Sequence, residues 1–260
     1  MRHGLHHGIF VREAGRDRGA RTVLWIHGLG ESGLCFEPVI DHPRLAGWRH
    51  VVPDLPGYGR TAWPREPLGL IDLADLLADL VADLRGDPVV AVGHSMGGVL
   101  ATALIERHPS LVRGLVDVDG NVTRGDCTFS GQAAGQELEA FEARGFDALR
   151  DRVYEAGLED RAQRGYYASL RLAQPASFHR HGVELVQWSE GRTLAQRRAA
   201  LECPRIYVAG APGGACEESR RLLDQARMPV AEIAPSGHWP FIDQPARFVT
   251  VLESFLGNQT

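Results

Sequence analysis

The chain of 260 residues contains no lysine, so all 28 of its basic residues are arginine. Without lysine there can be no pyridoxal Schiff base, no phosphate-binding lysine of a Walker loop and no Ser-Lys dyad. The net charge of -5 also disfavours a nucleic-acid partner, because phosphate binding needs clustered positive charge. If the protein uses a nucleophile, another kind of residue must activate it.

Long apolar runs and paired cysteine motifs are missing as well. No apolar run approaches the ~18 residues that span a bilayer, and the opening MRHGLHHGIF lacks the apolar centre of a secretory signal. The four cysteines, Cys35, Cys127, Cys203 and Cys216, form no CxxC spacing. We therefore expect a cytoplasmic protein with free thiols and no membrane partner.

Short apolar runs closed by glycine or proline predict strands that alternate with helices. The predicted strands lie at 23–28, 50–57, 88–95, 114–120, 203–210 and 228–237. Between them, leucines recur at helical spacing over residues 70–84, with aspartates on the other side, and Gly86 ends the pattern. Since both faces of such apolar strands must be covered, the pattern predicts an α/β fold with a mostly parallel central sheet flanked by helices.

The alternation stops between residues 123 and 201, where the pattern is helical and shows no convincing strand. We interpret 1–122 and 202–260 as an α/β core and 123–201 as a helical cap over the C-terminal edge of the sheet, where α/β proteins bind ligands. Three aromatic residues, Phe129, Trp188 and Trp239, are candidates for binding an apolar part of a substrate. Packing within the cap or core is the alternative for each of them.

Residues 93–98 read GHSMGG and match G-x-S-x-G between an apolar strand and a helical pattern. Glycines at both ends leave room for a sharp strand-to-helix turn that would raise Ser95 above the sheet. The motif predicts that Ser95 is a nucleophile. The alternative is an ordinary glycine-rich turn in which the serine is merely small.

A serine nucleophile needs a base and donors for the oxyanion that it creates. The backbone amides of Leu29, in the segment HGLG, and of Met96, at the start of a helix, are the predicted donors, and Gly28 allows their close approach. We interpret His27 as a structural residue of that loop. His238 follows the last predicted strand and is the predicted base, with a buried structural role as the alternative.

Together, HGLG, DLPGYGRT, GHSMGG, the helical segment and GHWPFIDQPARF resemble the α/β-hydrolase superfamily over nearly the whole chain. The resemblance implies the α/β-hydrolase fold, a chain order of serine, acid and histidine, and no cofactor or metal. It also implies an acid three residues after the glycine that ends the penultimate predicted strand. At that position the chain has Gly213.

Asp119, at the end of the predicted strand 114–120, is the predicted replacement for the acid. Some α/β hydrolases carry their acid there, and the chain is similar to zearalenone-type lactonases in this respect. Asp117 is a rival on the same face of the strand, but it lies deeper, where a carboxylate without a partner is costly. Glu217 and Glu218 lie near the usual position, within a predicted helix, and stay open as alternatives.

The resemblance implies a serine hydrolase that cleaves a carboxylic ester or lactone with an apolar portion through an acyl-enzyme. The expected partner is therefore a small ester or lactone, while amide, thioester and carbon-carbon bond cleavage stay open. A non-hydrolytic ligand receptor or cyclase on the same fold is the alternative. A metal site built from His3, His6 and His7 is weaker, because no carboxylate or cysteine completes it. Since neutral imidazole is the base, activity should rise with pH as His238 loses its proton.

Overall fold

The computed structural model describes residues 1–16, 21–84 and 86–258. The predicted core also includes 17–20, 85, 259 and 260, which lie outside the described residues. The described strands are β1 Arg2–His6, β2 Ile9–Gly15, β3 Thr22–Ile26, β4 Arg49–Pro53, β5 Val89–His94, β6 Val112–Val118, β7 Arg205–Pro212 and β8 Val230–Ser236. They form one sheet in the order β1-β2-β4-β3-β5-β6-β7-β8. Pairs within β3 to β8 are parallel, whereas β2 pairs antiparallel with both β1 and β4.

Helices connect and cover these strands. They are α1 Glu37–Ile40, α2 Leu70–Asp83, α3 Met96–Arg107, α4 Thr128–Ala134, α5 Leu138–Ala140, α6 Phe146–Gly157, α7 Arg161–Leu170, α8 Pro175–Glu190, α9 Leu194–Ala199, α10 Glu217–Gln225, α11 Pro240–Asp243 and α12 Pro245–Gly257. A π-helical turn, Phe141–Gly145, joins α5 to α6. Among the described helices, none is both long enough and apolar enough to cross a membrane.

The six predicted strands correspond to β3 through β8, which confirms the predicted mostly parallel sheet flanked by helices. The sequence interpretation missed β1 and β2. The residues of β1 are mostly exposed and include Arg2, His3 and His6, so they carry no apolar run that would indicate a strand. Backbone pairing of β1 with β2, and of β2 with β4, holds this edge in place.

The core lies around the central strands, where every residue of β3, β4 and β5 is buried. The predicted amphipathic helix is α2, which buries Leu70, Leu73, Leu77 and Leu80. Helix α3 is buried over almost its whole length, which explains why its sequence is apolar on all sides. A long buried helix directly after β5 gives the intervening turn a rigid support.

Residues 123–201, all of which are described, contain α4 to α9 and no strand. Two of these helices reach residues beyond the end of β8. The ring of Phe129 on α4 lies 6.4 Å from that of Trp239, and the ring of Tyr166 on α7 lies 5.5 Å from it. This segment therefore covers the carboxyl ends of the parallel strands.

Candidate active site

Ser95 occupies the turn between β5 and α3 with φ 53° and ψ -116°, a backbone conformation that is strained for a residue with a side chain. Its amide donates to the carbonyl oxygen of Val118 at 2.9 Å. Close packing explains the flanking glycines. A Cβ on Gly93 would lie 2.2 Å from the carbonyl oxygen of Gly97, and a Cβ on Gly97 would lie 2.0 Å from that of Ile26. The local sequence thus enforces the turn that presents Ser95.

A cavity of about 380 Å³ opens beside Ser95 at the carboxyl ends of the strands. Its lining includes the predicted base His238 and the predicted acid Asp119. Gly28 and Leu29 reach it from the loop after β3. The structure therefore brings the predicted nucleophile, base, acid and oxyanion loop to one cavity, although these residues lie far apart in the sequence.

The predicted oxyanion donors differ from Gly28 in their hydrogen bonding. Within the described residues, no hydrogen bond engages the amide of Leu29 or of Met96, the first residue of α3. The Gly28 amide is occupied, since it donates to Oε2 of Glu31 at 2.6 Å. Gly28 contributes space instead, because a Cβ there would lie 3.1 Å from Cβ of Ser95.

His238 lies between two other rings, 4.7 Å from that of His94 and 5.1 Å from that of Trp239, measured between centroids. Burial, with the positive charge of His94, lowers the pKa of His238 to about 3. Its imidazole is therefore neutral at physiological pH, as a general base must be. In the part of the chain that the structure describes, no hydrogen bond joins the His238 ring to Ser95 or to Asp119.

Asp119 directly follows β6 and has φ 44°, a left-handed conformation that aspartate tolerates better than most residues. Its two carboxylate oxygens accept hydrogen bonds from the amides of Gly210 at 3.0 Å and Ala215 at 2.9 Å. Burial nevertheless raises the pKa of Asp119 to about 7, against the lowering effect of these bonds. The carboxyl group thus changes charge close to neutral pH.

The rival acids lie elsewhere. Asp117 is fully buried and outside the cavity lining, and it forms an ion pair with Arg198 of α9. The sequence interpretation disfavoured Asp117 partly because a buried carboxylate without a partner is costly. The structure supplies the partner, Arg198, which lies 81 positions further along the chain. Glu217 and Glu218 lie in the first turn of α10, also outside the lining, and Glu218 pairs with Arg192.

The Arg198 contacts support the turn that carries Asp119. Besides its ion pair with Asp117, Arg198 donates from Nη1 to the carbonyl oxygen of Asn121 at 3.0 Å. Asp117 in turn accepts from the amide of Gly120 at 3.0 Å. Residues on both sides of Asp119 are therefore fixed by one buried arginine.

Three aromatic rings form an apolar wall of the cavity. Phe129 and Trp239, both predicted to contact substrate, line it together with Tyr166. The ring centroids of Phe129 and Tyr166 are 4.9 Å apart. Trp188 is not part of the lining, and its ring packs under the guanidinium of Arg197 at 4.7 Å.

The remaining histidine interpretations can be compared with the structure directly. His27 is fully buried, donates from Nδ1 to the Gly28 carbonyl and accepts from the Leu55 amide at Nε2, which fits a structural residue. His7 pairs with Asp83, and His3 packs against Phe10. Across the described residues, no group of three potential metal ligands is found.

Sequence reasoning missed a second pair of ionisable residues beside Ser95. Nδ1 of His94 lies 2.8 Å from Oε2 of Glu31, and both side chains are almost completely buried. The signal was present in the motifs themselves, since His94 directly precedes Ser95 and Glu31 directly follows HGLG. Neither motif alone indicates that the two side chains meet.

Comparisons with known proteins agree with this fold. The model of the alpha/beta hydrolase family matches residues 23–251. The chain is 27% identical over 259 residues to pimeloyl-[acyl-carrier protein] methyl ester esterase of Serratia marcescens, covering 92% of this chain and 94% of that protein. It is 25% identical over 254 residues to pyrethroid hydrolase of Sphingobium wenxiniae, covering 90% and 86%.

A solved structure shows the same fold. The structure of the N-acyl homoserine lactonase AidH in complex with N-hexanoyl homoserine has a TM-score of 0.75 and 24% identity, covering 97% of this chain and 93% of that one. The matched residues include the loop after β3, the turn that carries Ser95 and the segment that carries His238, and all three line the cavity. The chain is an enzyme of the alpha/beta hydrolase family.

Proposed function

We propose that the protein is a cofactor-independent serine hydrolase that cleaves a carboxylic ester or lactone with an apolar portion. The observation that carries this proposal is the strained turn that presents Ser95 to a cavity shared with His238 and Asp119. The relatives support the coarser part of it, since one is named as a methyl ester esterase and another as a pyrethroid hydrolase. The lactonase supports a cyclic ester as an alternative substrate.

In the proposed reaction, Oγ of Ser95 attacks the substrate carbonyl while His238 takes its proton. The amides of Leu29 and Met96 donate to the oxyanion of the tetrahedral intermediate. His238 then returns the proton to the leaving alkoxide, and an acyl-enzyme forms. Water activated by His238 releases the acid. Catalytic hydrogen bonds commonly tighten only when substrate is bound, which accommodates the absence of a Ser95–His238 bond among the described residues.

Asp119 is proposed to hold the tautomer of His238 and to stabilise its imidazolium form. The ionised carboxylate has this effect, and the protonated carboxyl does not. Gly213, at the usual position of the acid, lies close to the same loop, since its amide donates to the Ser236 carbonyl at 3.1 Å. The loop after β7 therefore contacts the segment that carries His238, while Asp119, after β6, lines the same cavity as His238.

The cavity favours a small substrate with an apolar acyl group or ring. Its volume of about 380 Å³ lies at the lower end of the range for ligand pockets. The wall formed by Phe129, Tyr166 and Trp239 offers aromatic surface to such a group.

The test is a fluorophosphonate that reacts with activated serines, followed by intact mass and peptide mapping. We expect one adduct, at Ser95, and none in Ser95→Ala. A parallel screen of aryl and alkyl esters and of lactones should show turnover in the wild type alone. An adduct on another serine would overturn the nucleophile assignment. Thermal stabilisation by an ester with neither adduct nor product would favour a non-hydrolytic receptor or cyclase.

A further inference from the structure

The carboxylate of Glu31 contacts three separate segments of the site. Its Oε2 accepts from the amide of Gly28 at 2.6 Å and lies 2.8 Å from Nδ1 of His94. Its Oε1 accepts from Nε1 of Trp239 at 2.6 Å. One side chain thus links the loop after β3, the residue before Ser95 and the loop after β8.

His94 extends this link to His238. Its Nε2 lies 2.9 Å from the carbonyl oxygen of His238, so the imidazole must carry a proton there to donate. A proton on Nδ1 is equally required to donate to Glu31. Both ring nitrogens face acceptors, and only the imidazolium form satisfies the two bonds together.

Buried charges are retained only where a partner compensates for the loss of water. Burial opposes charge on both residues. The attraction between them, together with the hydrogen bonds that each accepts or donates, outweighs it, lowering the pKa of Glu31 to about 2 and raising the pKa of His94. The other ionisable groups that interact with Glu31 are Cys35 and Tyr166, whose pKa values burial raises, and His27 and His238, whose pKa values burial lowers. All four are neutral near pH 7. Asp119 and Asp117 also act on His94, in the direction that keeps it protonated.

We propose that Glu31 and His94 form an ionised positioning pair that fixes the oxyanion loop and the His238 loop relative to Ser95. The proposal rests on the proposed function and deepens it. Neither residue is assigned contact with the reacting atoms. Glu31 acts through the amide of Gly28, which precedes the oxyanion donor Leu29, and His94 acts through the backbone of His238.

The pairing also keeps an uncompensated positive charge away from His238. A lone imidazolium beside His238 would repel the second imidazolium that forms during catalysis. Glu31 neutralises His94, so the pair holds the loops without leaving a net charge in the site. The residual effect of the His94 charge is to keep the resting His238 neutral.

The first experiment needs no destabilising change. Nitrogen-15 NMR of wild-type protein labelled at histidine, at about neutral pH, should show His94 with both ring nitrogens protonated. The signal is assigned by its loss in His94→Gln. A neutral His94 in the wild type would overturn the proposal regardless of how any variant behaves.

The second experiment replaces Glu31 by glutamine. In Glu31→Gln we expect His94 to become neutral. We expect kcat to fall on the order of 10²-fold, because the two loops lose their fixed positions relative to Ser95, and KM to change little. Glu13→Gln is the matched control. Glu13 is a mostly buried carboxylate on β2, paired with Arg49 at 3.0 Å and outside the cavity lining, so its loss should leave the His94 signal and kcat close to wild type.

The outcomes separate the two proposals. If wild-type Ser95 does not react with the fluorophosphonate, the proposed function fails whatever the state of His94. If wild-type Ser95 reacts and Glu31→Gln reacts at the same rate, the positioning pair is overturned while the proposed function stands. A loss of kcat in Glu13→Gln equal to that in Glu31→Gln would also overturn it, since general destabilisation would explain both.

Discussion

Two buried carboxylates line the same cavity, and their pKa values have moved in opposite directions. Glu31, on the β3 side, has a pKa of about 2, whereas Asp119, on the β6 side, has a pKa of about 7. Both accept backbone amides and both are about 2% exposed. They differ in their partners, because Glu31 faces the His94 ring while the donors to Asp119 are neutral amides.

The comparison shows that, at equal burial, a charged partner decides whether a carboxyl group in this cavity stays ionised. Glu31 keeps its charge down to about pH 2, which suits a fixed structural contact. Asp119 changes charge close to neutral pH.

The difference between the pKa values of Glu31 and Asp119 predicts a large change of activity with pH. In the proposed mechanism activity needs ionised Asp119, so it should be lost as the pH falls through the raised pKa of about 7. Below that value kcat/KM should fall about tenfold per pH unit, towards a floor roughly 10⁴-fold lower. The measurement is kcat/KM for an activated ester between about pH 5 and about pH 9.

The group that titrates in this pH profile is not the one that the sequence predicts. The sequence places the titration at His238, but burial beside the His94 charge keeps His238 neutral down to about pH 3. A kcat/KM that does not change with pH, or the same loss of activity at low pH in Asp119→Asn, would contradict the assignment of this titration to Asp119.

A smaller effect concerns the aromatic residues. Phe129→Leu alters the apolar wall and should change the preference among acetyl, butyryl and phenylacetyl esters by about tenfold. Trp188→Leu lies outside the lining and should change it by no more than about twofold. The ratio of kcat/KM values across the ester series checks both. Equal shifts in the two variants would show that Trp188 also reaches the substrate.

The place of the motif residues at the cavity could be predicted from the sequence. Ser95 lies in a glycine-flanked turn between β5 and α3, and His238 follows the last strand, so the direction of the chain puts both at the carboxyl edge of the sheet. The interpretation of Asp119 as the acid rested on chain order, on the carboxylate missing at Gly213 and on the resemblance to zearalenone-type lactonases. Asp119 lines the same cavity, and its role as the acid stays a prediction.

Contacts between distant segments could not be predicted in this way. Glu31 and His94 are 63 positions apart, and Asp117 and Arg198 are 81 apart, so no periodicity links them. The pKa values depend on burial beneath α4 and α7, whose packing the sequence does not reveal. Strand β1 was missed for a related reason, since backbone pairing with β2 holds it and no apolar pattern marks it. Strand β2 does bury Ile9 and Val11, but charged residues follow this short apolar run at once.

The most direct test of the central claim, that Asp119 serves Ser95 through His238, compares Asp119→Asn with Glu217→Gln at a pH above 7. The amide keeps the shape of the carboxyl but cannot stabilise imidazolium, so kcat should fall on the order of 10⁴-fold in Asp119→Asn, while Glu217→Gln keeps wild-type activity. Circular dichroism checks that both variants are folded. Wild-type turnover in Asp119→Asn with a large loss in Glu217→Gln would contradict the account and return the acid to the loop after β7.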